Sequence, residues 1–206
     1  MARKTKQDAD ATRSRLLDAA ELVFYEKGVS RASLNDIACA AGLTRGAIYW
    51  HFKDKGDLFN AMMERVTSPL KEATCEVSTM GLCTPLQRLR GRVDWVQRCI
   101  TRDERMGRVF EIALFRVEYV DEMTVARDRH VQECRAFQDQ MEADLCAAAA
   151  DEGVTLPQGP RVAVIGLRAV FEGLMHSWLL NREEFDLQSA SGAAVDTYLR
   201  GLGFRF

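Results

Sequence analysis

Apolar residues recur every three or four positions along nearly the whole chain. Leu16, Leu17, Ala20, Val23 and Phe24 share one helical face, and Lys27-Gly28 supplies a basic last turn and a left-handed stop. A second helix is predicted over 33–41, with Ser33 as N-cap, Asp36 in the first turn and Gly42 ending it. A short third helix over 44–52 is capped by Thr44. A fourth begins at Lys55 or Gly56 and runs to about residue 76, with Pro69 bending or ending it. The stretch STMGLCTP (78–85) reads as a loop, and EGVTLPQGP (152–160) as a break. Helical spacing returns over 85–100, 103–119, 121–151, 160–181 and 187–203, and no segment alternates as a strand would. The expected fold is all-α, about nine helices: three short N-terminal helices, then a bundle. The expected division is a basic arm at 1–10, a DNA-binding domain at 11–55 and a ligand-binding and dimerisation domain at 56–206.

Two short helices joined by a glycine-containing turn form a helix-turn-helix, in which the first braces the second against the major groove. Ile48 and Phe52, four apart, can point into the core with Leu34, Ile37 and Leu43. Arg45, Gly46, Ala47, Tyr49 and Trp50 are then left outside. Arg45 can reach a guanine edge or a phosphate, and the Ala47 methyl can meet a thymine methyl. Gly46 is small enough for close approach of the backbone. Thr44, Tyr49 and His51 can donate to phosphates, and Lys55 offers a cation at the start of the next helix. The charge supports a polyanion partner: residues 1–56 carry an excess of three positive charges, although the chain as a whole is at −2.

The block from Thr12 to about Phe59 resembles the DNA-binding domain of TetR-type transcriptional repressors. LLDAAELVFYEKGV (16–29) and SLNDIACAAGLTRGAIYWHFKDKGDLF (33–59) carry the likeness. The specific positions are Gly42, Leu43, Thr44, Arg45, Gly46, Ile48, Tyr49, His51, Phe52, Asp54 and Lys55. Gly56 stands where that family often has a polar residue. The resemblance implies operator contacts at Ser33, Thr44, Arg45, Tyr49, His51 and Lys55. Trp50, FEIALFRVEYVDEM (110–123) and GLMHSWLLNREEFDL (173–187) further resemble the branch that represses multidrug efflux pumps.

A domain of some fifty residues could bind DNA without help, so the rest of the chain needs other work. One reading helix covers too few base pairs, which implies a two-fold dimer on a palindromic operator. Val162, Ile165, Ala169, Leu179, Val195 and Leu199 give the last two helices more apolar surface than one face needs, and they are the expected homodimer seam. Phe110 and Leu114 form one stripe. Phe171 and Met175 form another, beside Arg168 and Glu172. Such apolar, aromatic walls with a few charges suit hydrophobic or cationic compounds. The resemblance implies that these six, with Trp95 and Met63, bind a small inducer whose entry shifts the fourth helix and releases the operator.

Composition excludes other classes. Hydrophobic content of 47% and charged content of 28% suit a folded domain. No uninterrupted apolar run approaches the ~20 residues of a membrane helix, and no signal peptide opens the chain. The protein is expected in the cytoplasm, without a membrane partner. Six cysteines form no paired spacing with each other or with histidine, so no metal and no cofactor are expected. No catalytic residues are assigned, because no P-loop, dinucleotide fingerprint or ordered Ser/His/Asp set is present. The alternative function is a regulator of the same fold controlled by redox chemistry or a protein partner.

Overall fold

The computed structural model describes residues 6–79, 84–119 and 121–206, with the backbone alone for 70–79 and 121. Among these residues all regular structure is helical. The order is α1 (Lys6–Lys27), α2 (Leu34–Ala40), α3 (Arg45–His51), α4 (Lys55–Thr79), α5 (Pro85–Arg102), α6 (Glu104–Phe115), a 3-10 turn (Asp121–Met123), α7 (Thr124–Glu152), α8 (Pro160–Leu180) and α9 (Leu187–Gly201). The all-α class and the sequence of elements are those expected. Residues 6–10, expected in the arm, form the first turns of α1. Residues 1–5 and most of the expected loop, 80–83, lie outside the described residues, as do the side chains of Cys75 and Cys83. Pro69 sits inside α4, which continues past it to Thr79. The sixth helix stops at Phe115 rather than at 119. There the Arg116 carbonyl accepts a hydrogen bond from Val29 N at 2.8 Å and so leaves the helical ladder.

The chain divides into two compact units: Met1–Ser68 with Arg108–Val131, and Pro69–Gly107 with Gln132–Phe206. In the first, Leu16, Ala20 and Phe24 of α1 are buried with Ile37, Ile48, Phe52, Leu58, Phe59 and Met62. Each such leucine, isoleucine or phenylalanine contributes about 2–3 kcal/mol on removal from water. Glu21 is buried among them and is held by charge: Arg108 Nε and Nη2 donate to its Oε1 at 2.9 and 2.8 Å. Arg65 of α4 donates to Asp18 at 2.8 Å. An unpaired carboxylate at that depth would cost several kcal/mol, so the pairing joins α1 to α6 as a condition of folding.

In the second unit, Leu89 and Val93 of α5, Met141 and Leu145 of α7, Leu167 and Phe171 of α8, and Val195 and Leu199 of α9 share one core. Buried Asp144 accepts from Arg88 at 2.9 Å and Arg92 at 2.8 Å, tying α7 to α5. Among the described residues, α8 is long and apolar enough to cross a membrane by length and composition. Its inner face, Ala163, Val164, Leu167, Phe171, Met175, Trp178 and Leu179, is buried in the fold, and Arg168 and Glu172 lie within its span.

Candidate nucleic-acid interface

The helix-turn-helix is built by local capping. Ser33 Oγ accepts from Asp36 N at 3.1 Å, and Asp36 Oδ2 accepts from Ser33 N at 2.9 Å, a reciprocal capping box. Lys27 donates to the other oxygen of Asp36 at 3.0 Å. Hydrogen bonds from Ser33, and then from Lys27, hold the Asp36 carboxyl down at about 2. The far end of α2 closes on Gly42 at φ +64°, a left-handed conformation that glycine adopts without strain. Leu43 N donates to Ala38 O at 2.8 Å and Gly42 N to Cys39 O at 2.9 Å, which satisfies the last carbonyls of the helix. Arg15 of α1 donates to Ala41 O at 2.7 Å and fixes the turn to the first helix. Thr44 then caps α3, its Oγ1 accepting from Ala47 N at 3.3 Å.

On α3, Ile48 is fully buried and Phe52, the C-cap, nearly so. The opposite face is open: Arg45 and Gly46 are exposed, Tyr49 is half exposed, and Trp50 is 73% exposed. The Arg45 guanidinium lies over the Tyr49 ring at 5.6 Å, and Trp50 stands edge-on to His51 at 4.6 Å between centroids. A large indole is this exposed in a folded monomer only at the cost of leaving apolar surface in water, which marks a surface meant to be covered. The face offers a guanidinium, a phenol and two further rings on a helix whose underside is locked, the arrangement a major-groove reader needs.

Lys55 departs from the expectation of an exposed phosphate clamp. It is 7% exposed, and its ammonium points inward to Ser30 O at 3.1 Å, Ala32 O at 3.2 Å and Glu122 Oε1 at 2.8 Å. An ammonium has three N–H donors, and all three are spent inside the fold. Ser33 is exposed, but its hydroxyl also donates to Asp36 Oδ2, at 2.7 Å, so its first task is the cap.

Two residues missed in the sequence join this face. An open groove of about 650 Å³ runs between α1 and α3, lined by Lys6, Ala9, Asp10 and Arg13 on one side and Ala47, Trp50 and His51 on the other. Arg13 also stacks over the Phe52 ring at 5.3 Å. Their sequence signal was the positive excess of the N-terminal segment.

The residues expected to bind an inducer divide between the units. Met63 is buried, Phe110 half-buried and Leu114 exposed in the first unit; Trp95, Arg168, Phe171, Glu172 and Met175 belong to the second. On α8, Arg168 donates to Glu172 at 2.7 and 2.9 Å and to Gln138 of α7 at 2.8 Å, and Phe171 meets Phe137 edge to face. Arg168 and Glu172 therefore already satisfy one another. Of the expected dimer residues, Val162 and Ile165 are more than half exposed and Ala169 is exposed. Leu179, Val195 and Leu199 are buried in the core of their own unit, so they leave no surface for a second chain. Among the described residues no group of histidine, cysteine and carboxylate side chains could hold a metal ion.

Comparison with known proteins fits this geometry. The profile of bacterial regulatory proteins of the tetR family matches residues 16–62, and that of the MAATS-type transcriptional repressor C-terminal region matches residues 84–204. The HTH-type transcriptional regulator AcrR of Shigella flexneri is 39% identical over 91% of this chain and 87% of its own. The crystal structure of NalD, the secondary repressor of the MexAB-OprM multidrug efflux pump in Pseudomonas aeruginosa, superposes with a TM-score of 0.84 at 32% identity, covering 94% of this chain and 96% of NalD. SmeT, repressor of the Stenotrophomonas maltophilia efflux pump SmeDEF, has been solved as a complex with triclosan, with a TM-score of 0.80 and 34% identity over 93% of this chain and 91% of SmeT. These relatives are transcription regulators, in keeping with a chain that lacks catalytic motifs. A capped helix-turn-helix at the N-terminus and a helical C-terminal region, each matching along its own length, make this chain a member of the TetR family of bacterial regulators, of the MAATS repressor type.

Proposed function

We propose that the protein represses a multidrug efflux operon, binding a palindromic operator as a dimer and letting go when a hydrophobic or cationic compound binds. The observation that carries the DNA reading is the outward face of α3, with Arg45, Tyr49 and Trp50 open above a buried Ile48. Arg45 reads a base edge or clamps a phosphate, and Thr44, Tyr49 and His51 set register on the backbone. Gly46 and Ala47 let the helix come close. The dimer forms through α8, where Val162, Ile165 and Ala169 leave an apolar stripe uncovered.

The efflux assignment is supported by the titles of NalD and SmeT, and the inducer class by the triclosan held in SmeT. Phe171, Met175 and the Arg168–Glu172 pair are the proposed inducer contacts of the second unit, with Phe110 and Leu114 those of the first. The compound must prefer the form that cannot hold DNA, typically by about 1–3 kcal/mol. The protein is proposed to act in the cytoplasm. A redox switch at Cys134 is disfavoured, because burial pushes its thiol up and away from the reactive thiolate.

The test is binding to the DNA just upstream of its own gene, across a salt series, with and without triclosan or ethidium. Salt-sensitive binding that either compound releases supports the proposal. Binding that neither releases moves the control to a partner or another ligand class.

A further inference from the structure

Glu122 is a carboxylate on a regulator that must approach a polyanion, yet it is fixed against the helix-turn-helix. Its partner is the inward-facing Lys55. The other two acceptors of that ammonium, Ser30 O and Ala32 O, belong to the turn that leads into the N-cap of α2. Three segments therefore meet on one nitrogen: the α1–α2 turn, the first residue of α4 and the 3-10 turn beyond α6.

Two further observations make the meeting specific. A Cβ at Gly56 would stand 3.0 Å from the carbonyl oxygen of Glu122 and 3.3 Å from Asp54 Oδ1. Glycine is what lets the Glu122 backbone lie against the first turn of α4, at a position where TetR-type sequences often carry a side chain. The same connecting segment is also fastened at its other end, by Val29 N donating to Arg116 O at 2.8 Å. Tyr119, between the two fastenings, stands edge-on to Phe59 at 6.5 Å.

We infer that Glu122, acting through Lys55 and the close approach at Gly56, is a positioning residue for operator binding: it holds the start of α2, and with it α3, in reading orientation without touching DNA. The inference rests on the DNA-binding function proposed above. Without Glu122, the buried ammonium keeps only two neutral carbonyls, and a cation so placed draws water or moves. Either response loosens the turn that sets α2, and α2 is the brace of α3.

The rival is that Lys55 swings out to a phosphate and Glu122 merely competes for it. The two predict opposite signs. Removing a carboxylate competitor tightens DNA binding, whereas removing a positioning residue weakens it. Salt dependence separates them again, because each lost phosphate contact lowers the slope of log K against log salt by about 0.9.

The experiment uses the full-length protein and a duplex enriched by it from random-sequence DNA. Stoichiometric titration gives the DNA-competent fraction, and affinities of that fraction are measured across salt for wild type, Glu122→Gln, Gly56→Ala and Arg45→Ala. The expected result for Glu122→Gln is binding roughly tenfold weaker, with competent fraction and salt slope unchanged. Gly56→Ala is expected to weaken binding likewise, although alanine favours the helix. Tighter or equal binding by Glu122→Gln, or a loss confined to the competent fraction, overturns the inference. Arg45→Ala reports on the parent reading: if affinity and slope both survive it, or if no duplex is enriched, the DNA-binding assignment to α3 is what fails.

Discussion

The hydroxyl of Tyr198 on α9 donates to the carbonyl oxygen of Ala163 on α8 at 2.9 Å, passing directly over Gly166. A Cβ on Gly166 would overlap that hydroxyl and lie 2.9 Å from the ring carbon Cζ. Gly166→Ala therefore forces Tyr198 off its rotamer or parts the two helices. We expect a loss of about 1–3 kcal/mol in denaturant unfolding, and Tyr198→Phe, which removes only the hydrogen bond, to cost about 1 kcal/mol. Equal stability for Gly166→Ala and wild type would show that the contact yields without cost.

That glycine illustrates where sequence reading stops. Helical spacing and capping residues placed the elements well, because each helix end is decided by its own neighbours: Ser33 with Asp36, Gly42, Thr44. The reading face of α3 was legible too, since Ile48 and Phe52 claim one side and leave Arg45, Tyr49 and Trp50 the other. Lys55 was not. Its inward turn depends on Glu122, a residue remote in the chain, and no local pattern announces that pairing. Leu179, Val195 and Leu199 failed similarly. A helix apolar on two sides does not say which side the rest of its own chain will cover. Lys6 and Arg13 escaped because their role comes from lying across a groove from α3.

Acid should loosen the helix-turn-helix in a defined window. The Asp36 carboxyl is held at about 2 in the fold against an ordinary value of 3.8, through its hydrogen bonds with Ser33 and then Lys27. A lowered folded value means stability that is present above pH 3.8 and lost as the pH falls towards about 2. Melting temperatures of wild type and Asp36→Ala, taken over that range, should converge as the pH drops. A constant gap would mean that the carboxylate charge is irrelevant to the cap.

The groove between α1 and α3 makes a prediction about charge. Arg13 and Lys6 line it with a single carboxylate, Asp10. If the DNA backbone passes there, Arg13→Ala weakens operator binding and lowers the salt slope by about 0.9. Asp10→Ala should strengthen binding. A reversed sign at Asp10, measured by fluorescence anisotropy, would move the backbone path off this groove.

The dimer can be tested at the uncovered stripe of α8. Ile165→Lys puts a charge on a residue that is 52% exposed in the single chain and so leaves the monomer fold intact. Sedimentation equilibrium should find the wild type as a dimer and the variant as a monomer. The variant should also lose affinity for a two-half-site duplex far more than for one half-site. A dimeric variant places the seam elsewhere.

The three tryptophans are graded in exposure: Trp50 at 73%, Trp95 at 36% and Trp178 at 9%, the last roofed by the Arg182 guanidinium at 5.2 Å. The chain thus carries its own optical labels. Trp50 emits from water beside the reading face, open to iodide, and Trp178 emits from the core. Covering the face with a duplex should shield the iodide-accessible part of the emission and leave the protected part alone. Operator engagement could then be followed in unmodified protein, at the ring that would lie against the DNA.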